Sequence, residues 1–358
     1  MTITHSPARE VSDLEAQALF KEARRRRHRR WFFGVVLVLV VSLAVALIVS
    51  MDSGAPRQIS PGHVGLPRWT PPRGKARAAP ALFVAGDGNG GVGVYSTTNG
   101  ALIRTISPQG PGGPDQQVAL SRNRQTVYFT QPNGLCSGNI LSGPVSGSSA
   151  PGVVISDTQT LALSPSPSPT SGDLAWVGVT CGPTGTTTRT TLYITTLTTG
   201  ARSDLGALSG QHGDDGIAWS PDGTRLAVES GTTVAVFDTD QSPPEELGRL
   251  DVASGCTLTS PTFLPQPNEL AAIRTCDGTT RTSGTSEVLA FNVVTGKPVA
   301  VVASAPHGAT FQGLSVDASG QHILLGVVTS SPLGAHNMAL KGKRLVPLRG
   351  QAPTDAEW

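Results

Sequence analysis

Four cysteines, Cys136, Cys181, Cys256 and Cys276, hold the most readable chemistry in this 358-residue chain. Their spacings of 45, 75 and 20 residues include no close pair of the kind a four-thiolate zinc site requires. Two disulfides are the expected use, with three connectivities open to a set of four. Among the histidines, His212 has acids close by, Asp214 and Asp215. That trio could hold a metal or a polar ligand, and a solvated turn is the simpler reading. His307 and His336 fall in expected loops. Gly88-Asn89-Gly90-Gly91-Val92-Gly93 matches Gly-x-Gly-x-x-Gly, but a dinucleotide site needs a helix to follow. Here Val92-Gly93-Val94-Tyr95 predicts a strand, so the motif reads as a glycine-rich hairpin. Asp87 and Asn89 alone are too few oxygen ligands for calcium. The chain lacks the Gly-x-Ser-x-Gly elbow of hydrolases. These residues lead to the expectation of no catalytic residue and no cofactor.

The elements that must position such groups follow from composition. With 42 Gly, 28 Pro, 15% charged and 5% aromatic residues, the chain is punctuated too often for a helical bundle and favours short strands joined by turns. The net charge of +2 is a sum of unlike parts. Residues 1–51 carry +4, residues 52–80 carry +4, and residues 81–358 carry −6. A mildly acidic body lacks the basic face that nucleic acid demands, so no nucleic-acid partner is expected.

Trp31 to Met51 is an uncharged run of 21 residues, dominated by Val, Leu, Ala and Ile. As a helix it would be roughly 31 Å long at about 1.5 Å per residue, enough to cross a bilayer once. Seven basic residues precede it between Lys21 and Arg30, among them Arg24, Arg25, Arg26, Arg27, Arg29 and Arg30, and few follow it. The positive-inside rule then orients the N-terminus to the cytoplasm and the rest outside. The run is longer than a cleavable signal's apolar region, and Pro56 disfavours cleavage after Ala55. The expected organisation is a cytoplasmic basic segment over 1–30, a transmembrane signal anchor over 31–51, a Pro-rich extracytoplasmic linker over 52–80, and a folded domain over 81–358. Localisation follows: a single-pass protein of the cell membrane with its C-terminal domain outside.

Within 81–358 one pattern recurs. Its clearest copy is Ile217-Ala218-Trp219-Ser220-Pro221-Asp222-Gly223-Thr224-Arg225-Leu226-Ala227-Val228, a strand, a tight turn and a strand. Related copies begin at Val118, Leu161, Phe263 and Leu314. Aligned on Ser220, they place residues 121, 164, 220, 264 and 315 in register, with intervals of 43, 56, 44 and 51. That period suits a four-stranded propeller blade of about 40–50 residues. An incomplete unit starts at Leu82 and lacks a leading strand, which the stretch after Leu345 could supply. The fold expected is an all-β, six-bladed β-propeller, alternatively seven-bladed, preceded by the single transmembrane helix. In this alignment Cys136 and Cys181 follow the second strands of neighbouring units, and Cys256 and Cys276 flank one strand pair. The pairs expected are therefore Cys136–Cys181 and Cys256–Cys276.

The Ser220-Pro221-Asp222-Gly223-Thr224-Arg225-Leu226-Ala227 segment resembles the TolB-type propeller repeat, a bacterial relative of the WD-repeat families. Arg outnumbers Lys 22 to 5, a usage of GC-rich genomes that suggests an actinobacterial source, and no Asn-x-Ser/Thr sequon occurs. The resemblance implies a rigid scaffold whose loops or central channel bind a protein or cell-envelope partner. Two other expectations stand beside it: a lactonase-like propeller hydrolase, and a transmembrane sensor that couples the propeller to a cytoplasmic regulator.

Overall fold

The computed structural model describes residues 66–72, 77–86, 91–108, 117–134, 136–158, 160–182, 185–209, 216–241, 244–276, 285–329, 335–341, 344–347 and 356–358. The expected cytoplasmic segment and transmembrane helix lie outside them. Among the described residues no helix is long and apolar enough to cross a membrane.

The described strands form antiparallel meanders. The first comprises β1 (Leu82–Gly86), β2 (Val92–Ser96) and β3 (Leu102–Ser107). Next come β4 (Val118–Leu120), β5 (Thr126–Pro132), β6 (Gly138–Pro144) and β7 (Gly152–Asp157), then β8 (Thr160–Pro167), β9 (Asp173–Cys181), β10 (Thr187–Thr196) and β11 (Arg202–Ala207). These two meanders count as one sheet only through a parallel bridge between Gly138 and Leu161. Three separate four-stranded sheets follow. They are β12 (Ile217–Trp219), β13 (Arg225–Ser230), β14 (Thr233–Asp238) and β15 (Glu245–Arg249); β16 (Cys256–Phe263), β17 (Glu269–Cys276), β18 (Thr285–Asn292) and β19 (Pro298–Ser304); and β20 (Ala309–Val316), β21 (Ile323–Thr329), β22 (Ala335–Lys341) and β23 (Arg344–Pro347). The short β24 (Ala356–Glu357) returns to pair with β1, Val84 facing Glu357 and Ala85 facing Ala356. The missing leading strand of the first unit thus comes from the C-terminal stretch.

The core lies between the sheets rather than within one of them. Leu226 and Val228 of β13 pack in a layer with Ala175 and Leu192, whereas Ala227 packs in the opposite layer with Leu258 and Leu270. Covered on both faces, such middle strands read as continuous apolar runs. Each fully buried large side chain stabilises by roughly 1.5–3 kcal/mol. Trp176 is the largest, and its indole N–H donates to Thr195 Oγ1 at 2.9 Å, so burial leaves it satisfied. The fourth strands β11 and β15 carry mostly exposed residues because they close the outer edges. The leading strands β24, β4, β8, β12, β16 and β20 contact one another in that order, and β20 returns to β24.

Two features depart from expectation. The Pro-rich linker does not remain a free spacer up to residue 80. Val301 N donates to Pro67 O at 2.9 Å and Trp69 N donates to Val301 O at 2.8 Å, a parallel bridge on the outer edge of β19. Trp69 packs on the core layer there, and Arg77 N donates to Gln321 Oε1 at 2.9 Å. An edge strand offers unpaired backbone groups, and the linker satisfies some of them. The second departure is His336, which lies on β22 opposite Val327 and not in a loop.

Candidate binding channel

The leading strands enclose a cavity of about 1190 Å³. Polar contacts tie each of several strands to its neighbour along this wall. Leu120 N donates to Glu357 Oε2 at 2.7 Å, Trp358 N to Ser315 Oγ at 3.2 Å, and Trp219 Nε1 to Ser166 O at 2.9 Å. Ser260 Oγ donates to Gln312 O at 3.2 Å. The strands also approach closely: a Cβ on Gly216 would stand 2.9 Å from Pro261 Cδ.

Two bulges shape the wall. Ser164 in β8 and Ser260 in β16 both have φ of 49°, and each precedes a proline, Pro165 and Pro261. A left-handed conformation is uncommon for a non-glycine residue, and the following proline disfavours helical angles further. The surroundings hold both in place. Gln117 Oε1 accepts from Ser164 N and, at 3.1 Å, from Ser164 Oγ, while Glu229 Oε2 accepts from Ser260 N at 3.4 Å. Glu229 is buried. Each bulge breaks the ladder register, between Leu163 and Ser166 and between Thr259 and Thr262, and re-aims the chain at the cavity. Strained backbone held by neighbouring side chains is a frequent property of ligand-facing sites.

One end of the channel is rimmed by the turns that join leading strands to second strands. Ser220 N donates to Arg225 O at 2.9 Å, and the same closure occurs at Ser121 with Thr126, Ser168 with Asp173, Leu264 with Glu269 and Asp317 with His322. The turns touch their neighbours: Arg122 Nη1 donates to Pro169 O at 3.2 Å and Arg225 Nη1 to Asn268 Oδ1 at 2.6 Å. Arg122, Arg124 and Asp317 line the cavity at this rim, giving it charge of both signs. Asp222 and Asp317 are the rim acids with shifted titration. The Ser220 hydroxyl holds Asp222 below the usual carboxylate range against partial desolvation. Burial alone would raise Asp317, but hydrogen bonds from Ser319 and His322 outweigh it and lower it.

The repeat motif Ser220-Pro221-Asp222-Gly223 forms the β12–β13 turn, with Gly223 at φ 75° as its left-handed residue. The closing bonds correct the sequence alignment at two copies. Ser168, not Ser164, and Asp317, not Ser315, stand where Ser220 does. His212, Asp214 and Asp215 lie outside the described residues, as do Arg24, Arg25, Arg26, Arg27, Arg29 and Arg30. Among the described residues no group of three or more His, Cys, Asp and Glu gathers to hold a metal. His307 is exposed, and His322 Nδ1 lies 3.1 Å from Asp317 Oδ2. The glycine-rich segment joins antiparallel β1 and β2, Gly86 facing Val92, as a hairpin.

The cysteines form two bonds, Cys136–Cys181 and Cys256–Cys276. The first joins the β5–β6 connection to the end of β9, with Cα atoms 5.8 Å apart. The second joins residues directly opposite on β16 and β17, with Cα atoms 3.9 Å apart. Sequence reasoning missed Gln117, Glu229 and the linker residue Trp69. Trp69 alone carried a signal, a large aromatic in a polar, proline-rich stretch.

No protein-family model matches the chain, and no curated protein matches it. Solved structures do. TolB from Acinetobacter baumannii superposes with a TM-score of 0.57 at 14% identity, over 77% of this chain and 65% of that one. The chain therefore spans less than two thirds of that TolB. A TolB-type structure from Agrobacterium tumefaciens gives a TM-score of 0.50 at 12% identity, over 75% of this chain and 87% of that one. At such identity the likeness establishes the fold, and that fold is a TolB-like β-propeller.

Proposed function

We propose that this chain is a membrane-anchored, extracytoplasmic binding scaffold built as a six-bladed propeller, whose central channel and rim of turns receive a protein or cell-envelope partner. The observation that carries this reading is the channel itself, a cavity of about 1190 Å³ walled by short strands with two left-handed Ser-Pro bulges. A concave site with a few placed polar groups is the usual form of a recognition surface. The blade count rests on the six leading strands that contact in cyclic order. The anchor and its orientation rest on the uncharged run of residues 31–51 and the arginines before it. The Arg-rich, sequon-free composition supports a bacterial envelope.

The test is cross-linking at the surface of intact cells, followed by detergent solubilisation and capture of the full chain. A specific partner should be recovered, and it should be lost in a chain truncated after residue 80. Weakened capture by a Gln117→Ala, Glu229→Gln chain that folds normally would locate the contact in the channel. Recovery of the same proteins by the truncated and full chains would sink the scaffold reading. External protease that leaves the body intact until cells are lysed would sink the orientation.

A further inference from the structure

We propose that Cys256–Cys276 is a redox-sensitive latch at the channel, opened by an external dithiol, whereas Cys136–Cys181 is a permanent staple. The two bonds differ in what they join. Cys256 and Cys276 are paired partners in one antiparallel ladder, and the next pair along it, Thr257 with Thr275, lines the cavity. Opposed residues of an unbridged ladder stand about 4.5–5.5 Å apart at Cα. The bridged pair stands at 3.9 Å, which is also below the roughly 4.4–6.8 Å span that most disulfides occupy. The bond therefore holds the strand ends closer than either the ladder or the sulfur bridge prefers, and its reduction relieves both. Bonds of that kind have the more oxidising potentials.

Opening this bond leaves the sheet intact. The ladder from Thr257–Thr275 to Phe263–Leu270 persists, and the two core layers on either side of it, one holding Leu258 and Leu270 and the other Ile273, do not depend on sulfur. What changes is local. Cys256 opens β16 and Cys276 closes β17, so the bond ties the entry of the chain into one strand to its exit from the other, next to the turn in which Cys256 N donates to Ala253 O at 3.1 Å. Cys136–Cys181, by contrast, links two meanders that share one parallel bridge, and its Cα separation of 5.8 Å is ordinary.

The chemistry is thiol–disulfide exchange. A thiolate of a thioredoxin-type dithiol attacks one sulfur, a mixed disulfide forms, and the other cysteine leaves as a thiolate that takes a proton. The second thiol of the reductant then displaces the first cysteine. Two electrons pass, giving two protein thiols and one oxidised reductant.

The experiment equilibrates the full chain, in detergent, with oxidised and reduced dithiothreitol across a range of potentials, then alkylates it and counts modified cysteines by peptide mass spectrometry. Cys256 and Cys276 should be alkylated together, with an equilibrium constant at least tenfold more favourable to reduction than that of Cys136 and Cys181. For a two-electron couple that is about 30 mV. Equal potentials, or prior reduction of Cys136–Cys181, overturn the proposal. At the potential where only Cys256–Cys276 is open, amide hydrogen exchange should quicken at Thr257 and Thr275 and stay unchanged at Leu226 and Val228. Unchanged exchange at the two threonines overturns the latch even if the potentials differ. The wild-type chain serves throughout, so no variant need fold.

Discussion

The β12–β13 and β20–β21 turns have the same backbone and opposite chemistry. In the first, Ser220 stands at the opening position and Asp222 at the third; in the second, Asp317 opens and Ser319 is third. Gly223 and Gly320 take the left-handed fourth position, with φ of 75° and 67°. In the first turn the serine hydroxyl donates to Asp222 Oδ1 at 2.5 Å and accepts from Arg225 N at 2.9 Å. In the second, Ser319 Oγ donates to Asp317 Oδ2 at 2.7 Å, and Asp317 Oδ1 accepts from Gln321 N and His322 N, each at 3.1 Å. The exchange keeps the hydroxyl–carboxylate pair but moves the charge inward: Asp317 is buried, and Asp222 is not. A turn of this shape asks for one acceptor at the opening position and one short polar partner, and it is indifferent to which bears the charge.

The largest effect expected in breaking this equivalence is at the glycines. A Cβ on Gly320 would stand 2.2 Å from Pro265 Cγ, a rigid ring, whereas on Gly223 it would meet Thr170 Oγ1, which can rotate away. Gly320→Ala should destabilise by about 2–4 kcal/mol, from left-handed strain plus overpacking. Gly223→Ala should show about 1–2 kcal/mol from strain alone. Urea unfolding of the two variants should rank them in that order. Next, Asp317→Ala should lower stability by about 1.5–3 kcal/mol because it removes an acceptor of charged hydrogen bonds from a buried turn. Asp222→Ala should lower it by about 0.5–1.5 kcal/mol at its more exposed position. Equal losses would show that burial does not distinguish the turns. The double exchange Asp317→Ser, Ser319→Asp rebuilds the first turn within the second and should recover all but about 1 kcal/mol of the single-variant loss.

The smallest effect is in acid. Both carboxyls titrate below their ordinary 3.8 in the fold. Their stabilisation is thus complete above that value and is lost as pH falls through the lower, folded values. Thermal midpoints of the wild type should drop below pH 4, and Asp317→Asn should flatten that drop more than Asp222→Asn.

Much of this architecture was legible because turns and apolar runs are local. Ser220-Pro221-Asp222-Gly223 announces its turn, and Asn123 behind Ser121 does the same, with Asn123 Oδ1 accepting from Gln125 N at 3.0 Å. The stretch Ser164-Pro165-Ser166-Pro167-Ser168-Pro169 offers three equivalent starts, and composition cannot choose among them. The choice is made by Gln117, 47 residues upstream, which captures Ser164 and leaves Ser168 to form the turn. Likewise Asp317 reads as a stray acid after Ser315 until Ser315 is seen to accept from Trp358 N. The channel was illegible for the same reason. Its wall is made of contacts between strands far apart in sequence, and its residues are ordinary Ser, Thr and Pro.

The pairing of Val84 with Glu357 sets a timetable. The first meander is made early, yet its inner edge has no mate until almost the whole of the chain has emerged. During that interval β1 offers a bare backbone edge, open to wrong strands. The last step of assembly is therefore a long-range search, slow by topology.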